Sequence, residues 1–582
     1  MLTVGLLLQW ALWAATPLPN LSRVEPLGGQ AGTTVAVEFV GKDFGAVTGV
    51  RFDTADLEWL GAEESDAKSV KGTIRIAPGA ALGPHRIQLL TAAGPTNTRL
   101  FNVHEFPALR EVEPKQTIAL QPQVIHGYLK GLADQDFYTF EARQGERWLF
   151  DLQSIERGGF LECSLWLYDE AGRELTYSED QDEYLETPRL AVTFPKDGTY
   201  TLKVDQYRGP QGVSCDDNCG YQLQVSQLPV VSGMHPLGAR PGQTYRVRIS
   251  GEALEHTTGA YVRRSRGAEH YRLTFPYSMP VDGSDGGLLR VEATEVKASA
   301  KQVEASFVLP PEARPGLWRL FLVTKHGTAE AMSFEVDTDA SSIDGLLTEK
   351  ANRHTVQLTA GRPLHAWTLA TQLGLPAIDT VLELWSAEGK LLAEHDDLMS
   401  GQGTVIGNPD SSLYYLPERT EAATLLVRDR TDRSGAAYSY RVHIASEAPS
   451  FQLLYEPEEA TAVAGGEAEI EALLIKHPGF EKAVDVWVEG HPEAKGQFRA
   501  DMHFGPSGDG DNINIPVVKL KLKLPAEAKG DYPVRLRGRA ADGSGPVVEA
   551  LSTLWIGPDG KRNDTRRPLP QPSIYVRTPD AR

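Results

Sequence analysis

Residues 126–152, HGYLKGLADQDFYTFEARQGERWLFDL, decide the fold of this chain. Aromatic and aliphatic residues, among them Tyr138 and Phe140, alternate with polar residues before the Gln-Gly pair at 144–145. The alternation resumes after the pair with Trp148 and Phe150. A period of two with one apolar face is typical of half-buried β-strands, and Gly145 can supply the positive φ that a tight turn needs. We predict two β-strands joined by a turn.

The composition extends this prediction to the whole chain. Its 582 residues correspond to about four domains at roughly 150 residues each. Glycine (55) and proline (38) are frequent, and long helical patterns are hard to find, which favours all-β domains with many turns. The net charge of −20 would repel phosphates, so we expect no nucleic-acid partner.

The first 17 residues, MLTVGLLLQWALWAATP, are apolar and end in small residues. This pattern indicates a secretory signal peptide, with a buried first strand as the alternative. No later segment reaches the roughly 20 apolar residues that a membrane span needs. We therefore expect a secreted, periplasmic or cell-surface protein without a membrane span.

An internal duplication organises the rest of the sequence. Pro26 and Gly41 recur as Pro236 and Gly251 at one constant offset. Later matches, such as Gly83 with Gly316, share a larger offset, so the second copy carries an insertion. A second unit is copied as well, since Leu165 and Tyr221 match Leu382 and Tyr438 at a single offset.

The duplication divides the chain into five modules that alternate between two kinds of unit and end in a different one. The predicted segments, in chain order, are the signal peptide (residues 1–17), module 1 (18–103), module 2 (104–227), module 3 (228–337), module 4 (338–447), module 5 (448–556) and a tail (557–582).

Modules 1 and 3 share short alternating strands punctuated by glycine and proline. Both carry a Pro-x-Gly entry, and both carry a late strand, GPHRIQLL (83–90) or GLWRLFLV (316–323). These motifs resemble the TIG family of immunoglobulin-like domains. The resemblance implies an immunoglobulin-like sandwich.

Modules 2 and 4 share a different set of motifs. The opening stretch in module 2 is followed by SLWLYDEAG (164–172) and FPKDGTYTLKV (194–204), and module 4 retains the turn at Gly361 and the hairpin SAEGKLLA (386–393). This set resembles the bacterial pre-peptidase C-terminal domain. The resemblance implies a secreted, jelly-roll-like β-sandwich of a kind often appended to exported enzymes.

Module 5 shows alternating strands such as VDVWV (484–488) and YPVRLRG (532–538), which predict another immunoglobulin-like sandwich. The tail contains PDGKRNDTRRPLPQP (558–572) and has little to bury. We expect it to be extended or disordered.

The motifs of common catalytic sites are absent from the sequence. There is no Gly-x-Ser-x-Gly nucleophile elbow, no His-Glu-x-x-His zinc motif, no P-loop and no dinucleotide fingerprint. Because every large segment is assigned to a small β-module, we predict that the protein is not an enzyme.

Acidic loops are the candidate metal ligands. Asp180 and Asp182 in module 2, and Asp396 and Asp397 in module 4, fall at matching places in the two copies. Calcium binds several carboxylate oxygens brought together by a loop, so these residues are calcium candidates, with solvated acidic loops as the alternative. No other cofactor is predicted.

Asp134 and Asp136 precede Phe137 in the opening stretch. We interpret them as turn and strand-edge hydrogen-bonding residues, with metal or ligand contact as the alternative.

Three cysteines are present. Cys215 and Cys219 could close a small disulfide loop in an oxidising compartment, and Cys163 is an alternative partner for either.

Five tryptophans alternate with aliphatic residues, which favours core packing over sugar-stacking platforms. They are Trp148, Trp166, Trp318, Trp367 and Trp385.

The function that fits these observations is an exported, non-catalytic binding or scaffold protein of the bacterial envelope or exterior. Its partner would be an extracellular protein, a glycan or envelope material. The alternatives are an accessory or remnant of a secreted hydrolase system and a purely structural spacer. The sequence does not determine the oligomeric state.

Overall fold

The described part of the chain is built almost entirely from β-strands. It forms 49 strands and two single-turn 3-10 helices, Leu254–His256 and Thr371–Leu373. The prediction of an all-β tandem array of sandwiches is therefore confirmed. The predicted signal peptide, residues 1–17, lies outside the described residues. The computed structural model describes residues 19–577, apart from 132, 155–162, 180–187, 207–218, 265–288, 339–340, 375–377, 397–409, 457–458, 478, 503–504, 507–512, 515, 556–565 and 570–572.

Module 1 contains two sheets that enclose one apolar core. Its strands are β1 (Asn20–Glu25), β2 (Gly28–Gln30), β3 (Thr34–Lys42), β4 (Val47–Phe52), β5 (Leu57–Ser65), β6 (Ser69–Ile76), β7 (Gly83–Thr91), β8 (Gly94–Pro95) and β9 (Arg99–His104). One sheet has the order β1-β3-β6-β5, and the other has the order β2-β9-β7-β4 with β8 paired to β7. Phe39 and Phe101 are fully buried in the core that the sheets share.

Module 2 is a sandwich of two five-stranded sheets. Its strands are β10 (Ala108–Arg110), β11 (Lys115–Thr117), β12 (Gln123–Tyr128), β13 (Asp136–Ala142), β14 (Arg147–Gln153), β15 (Cys163–Tyr168), β16 (Glu174–Ser178), β17 (Arg189–Thr193), β18 (Gly198–Gln206) and β19 (Gly220–Ser226). The sheet orders are β10-β12-β19-β14-β17 and β11-β13-β18-β15-β16.

The two strands of the opening stretch lie in opposite sheets of module 2. β13 pairs with β18, whereas β14 pairs with β17 and β19. Gly145, with φ of 81°, lies in the turn that carries the chain from one layer to the other. Phe140 stacks against Phe150 with ring centroids 5.4 Å apart, and both side chains are buried. The alternating aromatics therefore fill the space between the layers.

Module 3 has one continuous eight-stranded sheet. Its strands are β20 (Val230–His235), β21 (Gly238–Ala239), β22 (Thr244–Glu252), β23 (Thr257–Arg264), β24 (Arg290–Ala298), β25 (Gln302–Val308), β26 (Gly316–Thr324) and β27 (Gly327–Val336). β24 pairs with β23 at its start and with β25 further on, which joins the two layers along one edge. Tyr245 and Phe334 stack across the core at 4.6 Å.

Module 4 repeats the two-sheet arrangement of module 2 with four strands in each sheet. Its strands are β28 (Ile343–Leu346), β29 (Ala351–Leu358), β30 (Leu364–Leu369), β31 (Thr380–Trp385), β32 (Leu391–His395), β33 (Ser412–Tyr415), β34 (Glu421–Asp429) and β35 (Ser439–Ala445). The orders are β28-β35-β30-β33 and β29-β34-β31-β32.

Module 5 includes part of the predicted tail. Its strands are β36 (Phe451–Glu456), β37 (Glu459–Val463), β38 (Glu467–Lys476), β39 (Val484–Val488), β40 (His491–Phe498), β41 (Gly505–Pro506), β42 (Ile513–Asn514), β43 (Val517–Lys523), β44 (Gly530–Pro533), β45 (Leu536–Ala540), β46 (Val548–Glu549), β47 (Leu551–Trp555), β48 (Arg566–Leu569) and β49 (Ser573–Arg577). The expectation of an extended or disordered tail is wrong for β49, which lies between β37 and β44. Ile574 and Val576 alternate into the core and are buried, and this burial offsets the entropy of ordering the segment.

Strand register corrects one detail of the predicted duplication. A Cβ on Gly127 would lie 2.1 Å from the ring of Tyr221, and a Cβ on Gly345 would lie 2.1 Å from the ring of Tyr440. Each tyrosine is paired with its glycine across the strands. Tyr221 therefore corresponds to Tyr440, two residues beyond the predicted Tyr438. Shifting the alignment by two residues leaves the same face of the strand pointing inward. The alternation of apolar residues alone therefore could not distinguish the two alignments.

Candidate functional site

Three carboxyl groups and two tyrosines meet inside module 2. We call this group the carboxylate–tyrosine cluster, and it consists of Glu111, Glu113, Asp136, Tyr138 and Tyr221. The two glutamates follow β10, Asp136 and Tyr138 lie on β13, and Tyr221 lies on β19. One oxygen from each carboxyl group lies within 4.8 Å of the others.

A chain of hydrogen bonds runs from the core to the carboxyl groups. The hydroxyl of Tyr221 donates to Oδ2 of Asp136 at 2.5 Å. Because that proton is used, the hydroxyl of Tyr138, 2.6 Å from that of Tyr221, acts as donor to it. Oε2 of Glu111 accepts the backbone N–H of Tyr128 at 2.7 Å. Each hydroxyl in the chain therefore has a partner.

One lysine approaches two of the three carboxyl groups. Nζ of Lys130 lies 2.7 Å from Oε1 of Glu113 and 4.0 Å from Oε1 of Glu111. Its side chain is 66% exposed, so it can move away into solvent at little cost. A single cation cannot neutralise three carboxylates, and the cluster carries excess negative charge when all of them are ionised.

Burial shifts the acidity of this cluster. Loss of solvent raises the pKa of Glu111, and the neighbouring charge of Asp136 raises it further. Burial also raises the pKa of Asp136, although the hydrogen bond from Tyr221 opposes that rise. Two interacting carboxyl groups whose pKa values are both raised share a proton over a range of pH in which exposed carboxyls are ionised.

The donor set is compatible with a hard cation. Calcium prefers six to eight oxygen ligands, and the cluster offers three carboxyl groups whose oxygens already converge. Lys130 would have to leave before a cation could enter. The arrangement can therefore hold a proton, and it supplies half or less of a calcium shell.

The corresponding position in module 4 has different chemistry. The hydroxyl of Tyr440 lies 3.0 Å from Nδ2 of Asn352 and 2.7 Å from Nε2 of His354. Strand pairing places these residues where Asp136 and Tyr138 lie in module 2. The buried tyrosine recurs, but an amide and an imidazole replace the carboxyl and the phenol. Among the described residues, the excess negative charge is therefore found at this position in module 2 and not at its counterpart in module 4.

A second polar group joins module 1 to module 2. Nδ1 of His104 lies 2.8 Å from the carbonyl of Phe106, and its Nε2 lies 3.2 Å from Nε2 of His126. Nε2 of Gln222 lies 3.4 Å from Nδ1 of His126. One assignment fits all three contacts: Gln222 donates to His126, His126 donates to His104, and His104 donates to Phe106, with both rings neutral. Burial lowers the pKa of His126 well below its ordinary value, in agreement with this assignment.

The junction of modules 3 and 4 uses the same positions with charged groups. Strand pairing aligns Glu335 and Asp337 with Asn102 and His104, and it aligns Arg441 with Gln222. In the second junction, Arg441 replaces a neutral amide at the centre of a buried network.

Arg441 holds carboxylates from both modules. Its Nε lies 2.7 Å from Glu335, its Nη1 lies 2.6 Å from Asp344, and its Nη2 contacts Asp337. His443 lies 2.7 Å from the same oxygen of Glu335. Burial alone would raise the pKa of Glu335, but the hydrogen bond from His443 and the charges of His443 and Arg441 hold it below its usual value.

The oxygens and nitrogen of Glu335, Asp337 and His443 also lie within 4.8 Å of one another. The guanidinium of Arg441 already occupies the centre of this group, so it is poorly suited to a metal ion. We read this network as an inter-module contact.

The predicted calcium ligands are placed only in part. Asp180, Asp182 and Asp397 lie outside the described residues. The carboxylate of Asp396 lies 3.9 Å from Nε of Arg430, a guanidinium that competes with any cation there. Asp396 belongs to neither of the two metal-compatible groups found among the described residues.

Asp134 and Asp136 differ from each other in the structure. Oδ2 of Asp134 accepts the backbone N–H of Lys130 at 2.6 Å, as its interpretation as a turn residue requires. Asp136 instead enters the cluster. Sequence reasoning missed Glu111 and Glu113. The pattern that could have indicated them is a pair of glutamates separated by one residue, which places both side chains on the same face of an extended segment.

The cysteines do not all share one state. Cys219 is disulfide-bonded, whereas Cys163 is a buried thiol outside any disulfide. Cys163 lies in the module 2 core with 2% of its surface exposed. The alternative in which Cys163 takes part in the disulfide is therefore not what the structure shows. Cys215 lies outside the described residues.

The tryptophans divide into two groups. Trp148 and Trp318 are buried in cores, as the alternation indicates. Trp166, Trp367 and Trp385 are only partly buried. Other side chains already stack on two of these rings, which argues against sugar stacking there. Trp166 contacts Tyr177 and Lys203, and Trp367 stacks with His365 and His443.

Comparisons with known proteins add little to this description. No family model matches the chain, and no curated protein matches it. Among solved structures, it is similar to a DUF4785 family protein from Legionella pneumophila at 9% identity and a TM-score of 0.16, covering 63% of this chain and 94% of that one. It is also similar to the I9–I11 tandem of titin at 10% identity and a TM-score of 0.11, covering 52% and 93%. Within the described residues, no helix is long and apolar enough to cross a membrane.

Proposed function

We propose that this chain is an exported, non-catalytic scaffold or binding protein of the bacterial envelope or exterior. One observation carries the proposal: the first two pairs of modules are joined at matching positions by buried polar side chains. Modules that were only tethered would move independently, because small polar interfaces permit domain motion by default. Buried networks that cross each junction hold neighbouring sandwiches in one orientation.

We also propose that modules 1 and 3 are TIG-like, that modules 2 and 4 are pre-peptidase C-terminal-like, and that residues 1–17 direct export. The motifs of the sequence support all three assignments. A rigid array of this kind presents loops and sheet edges at fixed spacings. Its partner would be a protein, a glycan or envelope material bound at those loops or edges.

A binding screen tests this function directly. Purified full-length protein is applied to arrays of glycans and extracellular proteins, with calcium and with chelator, and is assayed in parallel against protease and glycosidase substrates. We expect saturable binding to at least one array component and no turnover. Turnover that survives repurification would favour an enzyme. A complete lack of binding would favour a structural spacer.

The calcium candidates have their own test. If the acidic loops or the carboxylate–tyrosine cluster bind calcium, chelation will lower the melting temperature, because a ligand bound only to the folded state stabilises it. Glu111→Gln removes one ligand of the cluster, and Asp396→Asn removes one loop candidate. The variant whose melting no longer responds to calcium identifies the site, and an unchanged wild-type melt rejects calcium at both.

A further inference from the structure

A ladder of aromatic rings crosses module 4 and ends in module 5. His443 stacks on Trp367 with centroids 4.7 Å apart, and Trp367 stacks on His365 at 4.5 Å. His365 lies 3.9 Å from Tyr414 with nearly parallel planes. The hydroxyl of Tyr414 lies 2.9 Å from Nδ1 of His477, which belongs to module 5. The end of the ladder therefore forms a polar contact between these two modules.

The ladder has no counterpart in module 2. Strand pairing aligns His365 with Leu149, Trp367 with Asp151, and Tyr414 with Ala191. Leu149 is buried in a cluster that it shares with module 3, so this face meets the following module in both copies. Module 4 therefore has a titratable side chain, His365, at the position where module 2 has the aliphatic Leu149.

The hydrogen bond at the junction joins the Tyr414 hydroxyl to Nδ1 of His477, and which of the two groups donates depends on the protonation of the imidazole. Nδ1 of His477 can accept the Tyr414 hydroxyl proton only while it carries no proton of its own. Burial lowers the pKa of His477 to about 4. Burial, together with the charges of His477 and His443, lowers the pKa of His365 to about 3. Both rings are thus neutral in the closed junction.

The described residues place several charged or titratable groups near these rings. Around His365 they are His443 on β35, His477 from module 5, and Glu447, whose carboxylate lies 3.7 Å from Nδ1 with 63% of its side chain exposed. Lys476, the last residue of β38, directly precedes His477. The largely solvated carboxylate of Glu447 offsets little of the cost of charging the buried ring of His365, and a second imidazolium on His477, with ring centroids 6.4 Å apart, would repel the first.

We propose that the junction between modules 4 and 5 is an acid-released contact, closed at neutral pH and opened when His365 and His477 are protonated. The direction of this pH effect follows from the linkage between histidine protonation and the equilibrium between the closed and open forms. A histidine whose folded pKa lies below its unfolded value of 6.5 stabilises the closed form above pH 6.5. That stability is lost as the pH falls toward about 4 for His477 and about 3 for His365. An exported protein would thereby change its shape in a mildly acidic compartment.

Small-angle scattering of the full-length protein between about pH 7.5 and pH 4.5 tests the proposal, with circular dichroism at each pH. We expect the maximum dimension to grow as the pH falls while the β-sheet signal stays constant. Each histidine should shift the closed-to-open equilibrium about tenfold per pH unit below 6.5. Constant dimensions would overturn the proposal, and so would a loss of β-sheet signal over the same range.

Matched variants identify the groups responsible. His365→Leu copies Leu149 from module 2, and His477→Gln keeps an acceptor for Tyr414 without a titrating group. The double variant should stay closed at about pH 4.5. His491→Gln, whose ring contacts Tyr532 within module 5, should behave as wild type. Opening of the double variant at the wild-type pH would contradict the assignment.

A second variant guards against misfolding of the double variant. Tyr414→Phe retains the stacked ring and removes only the hydroxyl, so it weakens the closed junction without adding a charge. It should open at a higher pH than wild type. A Tyr414→Phe protein with an unchanged opening curve would show that the hydrogen bond to His477 does not hold the junction.

Discussion

Asp136 and Asn352 occupy one position in two copies of the same fold, and this single difference changes what the site can hold. The carboxyl of Asp136 receives a hydrogen bond from Tyr221, as the amide of Asn352 meets Tyr440. At this one position, only the carboxyl of Asp136 carries a charge that depends on pH, because the amide of Asn352 does not titrate. Sequence reasoning saw Asp136 as a strand-edge residue because its partners, Glu111 and Tyr221, lie 25 and 85 residues away. Contacts at such separations leave no local pattern.

The raised pKa values in the carboxylate–tyrosine cluster predict that stability falls with rising pH. A carboxyl whose folded pKa lies above its unfolded value contributes stability below the unfolded pKa and loses it as the pH rises through the folded one. For Glu111, the loss of stability begins near the ordinary glutamate pKa of 4.5 and continues as the pH rises. Glu111→Gln removes one charge while its amide oxygen can still accept the N–H of Tyr128.

We expect Glu111→Gln to stabilise module 2 at about pH 8 by about 1–2 kcal/mol, after allowance for solvent screening, and to have little effect near pH 4. Protection factors for amide exchange in β12 and β19 measure this change. Glu170→Gln, which breaks an exposed pair with Lys196, is the control and should change nothing. Equal effects of Glu111→Gln at both pH values would contradict the shared proton.

The cysteines give a second residue-scale prediction. Cys219 is disulfide-bonded and Cys163 is a buried thiol, so a thiol reagent should add nothing to the native protein. In denaturant without reductant we expect one adduct, and after reduction we expect three. Intact mass measures all three states. Three adducts in unreduced, denatured protein would mean that no disulfide exists.

At the scale of elements, the alternation of apolar residues predicted strands well but did not predict their partners. β13 and β14 follow each other with a turn at Gly145, yet they lie in opposite sheets. Side-chain period reports which face of a strand is buried and says nothing about which strand lies beside it. β49 was missed because five residues after a proline-rich segment offer too short a pattern to separate from a disordered end.

β49 predicts that the C-terminal segment is structurally required. Ile574 is fully buried in the core of module 5, so Ile574→Ala should destabilise that module by about 2–5 kcal/mol. Val547→Ala, at a side chain that is 49% exposed, is the matched control and should cost little. Amide exchange in β37 and β44, the two strands that flank β49, reports on the stability of module 5. An Ile574→Ala protein as stable as the control would mean that β49 does not complete the sheet.

For the whole molecule, duplication preserved the geometry of a junction while its chemistry diverged. The first junction is a neutral chain through His104, His126 and Gln222, and the second is a charged network around Arg441. Two such junctions should respond differently to the same conditions. A neutral network is insensitive to salt and to carboxyl titration, whereas three buried carboxylates around one guanidinium depend on that guanidinium for their stability.

Arg441→Gln places the residue of the first junction into the second and leaves Glu335, Asp337 and Asp344 without their shared cation. Removing one partner of a buried ion pair typically costs about 3–5 kcal/mol. We expect a loss of that order at neutral pH and a smaller loss near pH 4, where the carboxyls can take up protons. Thermal unfolding of the full-length protein, with amide exchange in β27 and β35, measures the loss.

Replacing the charged residues of the second junction by the aligned residues of the first distinguishes an electrostatic effect on stability from a packing effect. Arg441→Gln combined with Glu335→Asn, Asp337→His and Asp344→His reproduces the four polar residues of the first junction at aligned positions. If the two junctions have the same backbone geometry, the fourfold variant should recover most of the stability that Arg441→Gln alone loses. The single substitution destroys the favourable interactions among contacting residues, and the fourfold variant replaces them with those of the first junction. It should also lose the pH dependence of that single variant. A fourfold variant no more stable than Arg441→Gln would show that the two junctions differ in backbone geometry as well as in charge, and that the aligned positions are not equivalent in space.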